Sequence, residues 1–241
     1  MFNVIPAFWQ RRAPAGGDGS FTLYTASVVP SPPRTVMGDP LIQRNLFVAR
    51  LLSTVGVWNF EEETSPGSGV LIYPHGTYMH NVNVVRNGVS MNLALATSDT
   101  SALRVYNFAS SGRFNTTQGT NPFTGLPYKV YLNLVPADST NPTSFTFATP
   151  IAFFGFYGTD FGDFLANITI TLHKTGGGTV DYPVTVVPTD SNLVFWGFVD
   201  TTGTTYDKIV MSNDLPVPDI DKRDLLGLDD IYWGPASYIL P

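Results

Sequence analysis

A chain of 241 residues can bury one large core, and its net charge of −6 with no cysteine excludes several classes at once. Charged residues make up 13% of it, against a usual share of roughly 25%, while hydrophobic residues reach 43%. The acidic balance argues against a nucleic-acid-binding surface, the missing cysteines remove disulfide and thiolate chemistry, and no run approaches the roughly 20 apolar residues of a membrane-spanning helix.

Residues 1–54 read as an extended arm rich in Pro and Gly. Its Phe2, Phe8 and Trp9 are odd in a solvated tail, which is normally poor in aromatics, and suggest an arm that docks on a neighbouring subunit. Within it, Ser20 to Val29 alternates like a strand, and 41–52 is compatible with one short helix entered at Asp39-Pro40 or equally with an irregular strand. Met1 to Pro6 lacks the basic region and apolar core of a secretory signal.

From Val55 the pattern is β-like. Val55 to Glu61 reads as a first strand, followed by Val70 to Tyr73, Tyr78 to Val85 and Met91 to Ala96, with Arg86-Asn87-Gly88 as a turn. Leu103 to Tyr106, Tyr128 to Val135 and Ser144 to Ala148 continue the series before a glycine-aromatic block at Pro150 to Asp163. In Asn167 to Leu172, Ile168, Ile170 and Leu172 share one face while Asn167, Thr169 and Thr171 share the other. Pro183 marks Val180 to Val186 as an edge strand. Leu193 to Val199 is apolar on both faces and should be central; Tyr206 to Met211 and Asp230 to Trp233 close the series. Short strands separated by turn residues predict an all-β antiparallel sandwich or jelly roll over 55–234, with a tail at 235–241.

The order Asn59-Phe60-Glu61, Phe153-Phe154-Gly155-Phe156-Tyr157-Gly158-Thr159-Asp160, Phe195-Trp196-Gly197-Phe198-Val199 and Gly227-Leu228-Asp229-Asp230-Ile231 resembles the β-sandwich domains of PEP-CTERM-type bacterial surface proteins. Those domains are similar to jelly-roll carbohydrate-binding modules. Lacking a signal and carrying an arm, the whole chain also looks like a tailed-phage virion protein, of the capsid decoration or cement kind. That resemblance implies a non-enzymatic structural protein, located in the virion, that meets copies of itself and a major capsid protein. The other implies a calcium-stabilised, lectin-like glycan-binding module at a cell surface.

In such modules a calcium ion ties the first strand to the last. The matching groups are Glu61, Asp229 and Asp230, with Asp160 and Asp163 as a second candidate pair. The plain alternative is that Asp229-Asp230 satisfies backbone amides at a strand start. Asp214, Asp219, Asp221 and Asp224 lack the glycine and terminal glutamate of an EF-hand loop. His75, His80 and His173 lack metal-type spacing, and there is no Gly-x-Ser-x-Gly elbow or phosphate loop. A glycosidase would need two facing carboxylates, which spacing alone does not pair.

Overall fold

The computed structural model describes residues 19–28, 38–59, 81–95, 103–108, 119–120, 127–134, 143–159, 161, 167–186, 192–214 and 226–241. The strands are β1 (Phe21–Val28), β2 (Asn81–Arg86), β3 (Val89–Leu95), β4 (Leu103–Phe108), β5 (Gly119–Thr120), β6 (Pro127–Leu134) and β7 (Thr143–Ile151). After them come β8 (Phe153–Thr159), β9 (Ile168–Lys174), β10 (Thr179–Val184), β11 (Leu193–Asp200), β12 (Tyr206–Asn213) and β13 (Leu226–Gly234). One helix, α1, spans Gly38–Val48.

These strands make an antiparallel β-sandwich. A seven-stranded sheet runs β1-β11-β8-β13-β6-β4, with β5 paired to β6, and a six-stranded sheet runs β10-β9-β12-β7-β3-β2. The chain changes sheet at Ala152, between β7 and β8. There the Ala152 N–H donates to the Gly234 carbonyl (2.9 Å), and its own carbonyl accepts from the Asp200 N–H (2.8 Å). A second change of sheet, from β11 to β12, is clamped by the buried Asp200 carboxylate. It accepts from the Thr202 N–H and hydroxyl (2.8 and 2.6 Å) and from the Tyr206 hydroxyl (2.7 Å).

The periodicity explains the layering. Alternate residues such as Phe145 and Phe147, Ile168, Ile170 and Leu172, and Ile209 and Met211 fill the space between the sheets. On the central strands both faces are apolar, as expected for Leu193 to Val199. Phe154, Phe156, Trp196, Phe198 and Trp233 point into the sandwich, while Phe153, Tyr157, Phe195, Val199 and Tyr232 point out into a second core. Pro183 does lie on an edge strand, β10.

That second core corrects the picture of residues 1–54 as an arm. In its described part the stretch is built into the sandwich: β1 pairs with β11 over its full length, from Phe21–Asp200 to Val28–Leu193. The helix α1 then roofs the outer face of the seven-stranded sheet, where Phe47 is fully buried among Tyr24, Phe153, Phe195 and Tyr232. Each glycine in β8 makes room for a ring, Gly155 for Phe47 and Gly158 for Phe161. Trp58 meets Ile231 through a reciprocal backbone pair, an isolated bridge in the described part, 55–59, of the strand expected over Val55 to Glu61; Phe60 and Glu61 lie outside the described residues. Val55 and Val57 instead pack against the outer core. Leu51 bridges Ile239, so residues expected as a free tail are tied back on the same face.

The Asn87-Gly88 turn between β2 and β3 lies where the sequence placed it, with both residues left-handed (φ 53° and 70°). Asn87 also stitches the sheets together. Its Nδ2 donates to the Trp233 carbonyl (2.7 Å) and the Gly56 carbonyl (3.2 Å), and its Oδ1 accepts from the Gly56 N–H (2.6 Å). Asn87→Gly keeps the backbone but loses these bonds, and is expected to cost about 2 kcal/mol. Asn87→Ala adds left-handed strain and should cost about 3 kcal/mol. Denaturant midpoints check this: an alanine variant as stable as the glycine variant would show that the backbone conformation matters little.

Candidate functional site

Of the acidic residues singled out for calcium, Asp229 and Asp230 are described, whereas Glu61, Asp160 and Asp163 lie outside the described residues, as do Phe2, Phe8 and Trp9. Asp229 and Asp230 sit at a bulge in the middle of β13, where the register against β8 shifts between Asp229–Tyr157 and Tyr232–Gly155. Asp230 adopts φ 46°, and its N–H donates to Asp229 Oδ1 (2.8 Å). Both are buried, and Asp229 serves a backbone amide at this mid-strand bulge, not at a strand start. No group of three or more His, Cys, Asp or Glu poised to hold a metal ion occurs among the described residues.

The bulge faces a polar centre on the outer sheet. Arg44, from α1, donates to the Tyr232 hydroxyl through Nε (3.1 Å) and Nη2 (2.7 Å), and its guanidinium lies 5.7 Å from that ring's centroid. Burial works against the Arg44 charge, but Tyr232, Asp230 and Tyr157 more than offset it, and its pKa rises. Burial pushes the Tyr232 and Tyr157 phenols up, Asp230 and Asp229 pushing the same way and Arg44 partly opposing them. The Tyr157 hydroxyl has no hydrogen-bond partner among the described residues. Chemically this centre clamps the helix to the sheet; the roof over it leaves that face occupied.

On the outer face of the six-stranded sheet no described element packs as α1 does on the other sheet. The six strands of the second sheet align their outward residues into rows. One row reads Thr179, His173, Lys208, Thr146, Asn92 and Asn83, each the register partner of the next. The next row reads Asp181, Thr171, Val210, Ser144 and Ala94. Apart from Val210, every one of these is exposed or half-buried. At about 4.8 Å per strand a row measures roughly 24 Å. Two pairs hold each other in place: Thr171 Oγ1 donates to Asp181 Oδ1 (2.6 Å), and Asn92 Nδ2 to Asn83 Oδ1 (3.1 Å). The face therefore offers hydroxyl, amide, imidazole, ammonium and carboxylate groups at fixed spacing. Alternation announced the polar side of each strand, as at Thr169 and Thr171. The register that joins six such strands into rows has no local signal, and for that reason the rows themselves are not legible in the sequence.

No family model matches the chain, and no curated protein matches it in sequence. Among solved structures the chain is similar to a mutant of a family 29 carbohydrate-binding module, with a TM-score of 0.30 and 10% identity. The likeness covers 63% of this chain and 97% of that one.

Proposed function

We propose that the protein is a non-catalytic β-sandwich module that binds a glycan on the outer face of its six-stranded sheet. The observation that carries this reading is the asymmetry of the two sheets. The seven-stranded sheet has its outer face covered by α1 and the segments beside it, while the six-stranded sheet presents one unbroken row of polar side chains, Thr179 to Asn83, next to a row that Val210 and Ala94 interrupt. A polyol recognises such a surface through many neutral hydrogen bonds, each contributing about 1 kcal/mol net. Near-balanced charge, with His173 and Lys208 in one row and Asp181 in the next, suits a neutral or weakly charged sugar chain better than a polyanion. Among the residues named in the two rows there is no aromatic ring for a sugar to stack on. Affinity then has to accumulate along an extended polymer, not at one sugar unit.

Electrophoresis through gels containing soluble polysaccharides tests the reading. At least one neutral polysaccharide should retard the full-length protein. The double substitution Asn92→Ala with Thr171→Ala, at surface positions, should weaken retardation about tenfold or more with an unchanged melting temperature. Equal mobility in every polysaccharide tried, or a double variant that binds as tightly as the parent, would overturn it.

A further inference from the structure

We propose that two copies of this chain pair through their β1 strands to form a continuous antiparallel sheet. Among the described strands β1 has one neighbour, β11, and ends the seven-stranded sheet. The pattern of bonds to β11 follows from the Thr201 N–H donating to the Ser20 carbonyl (2.8 Å). In an antiparallel ladder the inward-bonding residues alternate, so Thr22, Tyr24, Ala26 and Val28 face β11. By the same alternation Phe21, Leu23, Thr25 and Ser27 turn their backbone N–H and C=O groups away from β11.

An open edge of this kind is ordinarily blunted by charge, proline or a bulge. The neighbouring edge, β10 of the other sheet, follows that rule with Asp181 and Pro183. β1 does not. Phe21-Thr22-Leu23-Tyr24-Thr25-Ala26-Ser27-Val28 carries no charge and no proline, and keeps an unbroken register over eight residues. In a chain of net charge −6, such a neutral strip is where a second, equally acidic copy meets least repulsion.

The geometry of self-pairing is specific. A two-fold axis at Leu23 sets Leu23 opposite Leu23 of the other copy and Phe21 opposite Thr25, so that Phe21, Leu23 and Thr25 exchange all their backbone bonds. The axis stands perpendicular to the sheet, so the two six-stranded faces point to the same side and would engage one polymer together. The pairing itself does not depend on what that face binds.

The absence of cysteine makes the test direct, because any introduced cysteine is alone in the chain. Residues opposed as a bonded antiparallel pair have Cα atoms about 5.5 Å apart, within disulfide range. Sedimentation of the full-length protein should give twice the chain mass. Mild oxidation of Leu23→Cys should give a covalent dimer, whereas Thr25→Cys alone should give none, and Phe21→Cys with Thr25→Cys should restore it if Leu23→Cys folds poorly. Thr22→Lys, which adds an edge charge, should shift the mass toward a single chain with the fold retained. A monomer at every concentration would overturn the proposal. So would a dimer that resists Thr22→Lys and leaves the cysteines at positions 23, or at 21 with 25, unlinked.

Discussion

Raising the pH past about 10 is expected to unfold the protein over a narrow interval, with about 3 kcal/mol of stability lost in the first pH unit and about 4 kcal/mol in the next. The effect comes from Tyr157, Tyr206 and Tyr232, all almost wholly buried. Burial raises each phenol well above its ordinary value. For Tyr206 the Asp200 carboxylate that its hydroxyl bonds adds to the shift. Each group therefore binds its proton more tightly in the folded chain than in the unfolded one. The contribution is fully present below the unfolded pKa near 10 and declines as the pH climbs toward the folded values, by about 1.4 kcal/mol per unit for each group. Tyr24 and Tyr182 shift in the same direction, also chiefly through burial. Domains of this kind are stable by only about 5–15 kcal/mol, so the loss takes a large part of the total. Circular dichroism and the ultraviolet tyrosinate band should change together. Tyr206→Phe should reduce the slope by about 1.4 kcal/mol per pH unit. A melting temperature that stays level across this range would show that the phenols ionise without unfolding.

Much of the sandwich is legible in the sequence because its signals are local. Alternation in Ser144 to Ala148 and Asn167 to Leu172, two-sided apolarity in Leu193 to Val199, Pro183 on an edge and the Asn87-Gly88 turn each reflect a residue's own neighbours. What remained hidden depends on pairing between distant segments. Phe21 to Val28 alternates like a strand, yet its partner β11 lies more than 150 residues away in the chain. Nothing in Pro- and Gly-rich surroundings announces that partnership, so the segment looks like part of an arm. Asp230-Ile231-Tyr232-Trp233 reads as the strand that closes the series because it comes last. It is interior, between β8 and β6, and its Asp229-Asp230 pair marks a bulge. The same gap separates the polar faces of single strands from the rows they build on the six-stranded sheet.

Phe47→Ala is expected to cost about 3–5 kcal/mol, a loss typical of a buried phenylalanine and severe for a residue in what reads as an arm. The ring is fully buried, with its centroid 5.7 Å from Tyr24, 6.3 Å from Phe153, 5.5 Å from Phe195 and 5.6 Å from Tyr232. It also fills the space over Gly155, where a Cβ would lie 3.1 Å from its tip. Truncating it removes the part of α1 that seats on the sheet and leaves a cavity walled by aromatic rings, which relax little. Phe47→Leu keeps most of the volume and loses the edge-to-face contacts, so about 1–2 kcal/mol is expected. Deleting residues 1–54 altogether should do more than shed an arm. It strips β1 and α1 from the sheet and bares Phe153, Phe195, Tyr157 and Tyr232, a contiguous apolar face of the kind that drives aggregation. Denaturant unfolding of the two point variants, with the solubility of the truncated chain, decides the matter. A soluble, cooperatively folding fragment from residue 55, or a Phe47→Ala loss below about 1 kcal/mol, would return these residues to the status of an appendage.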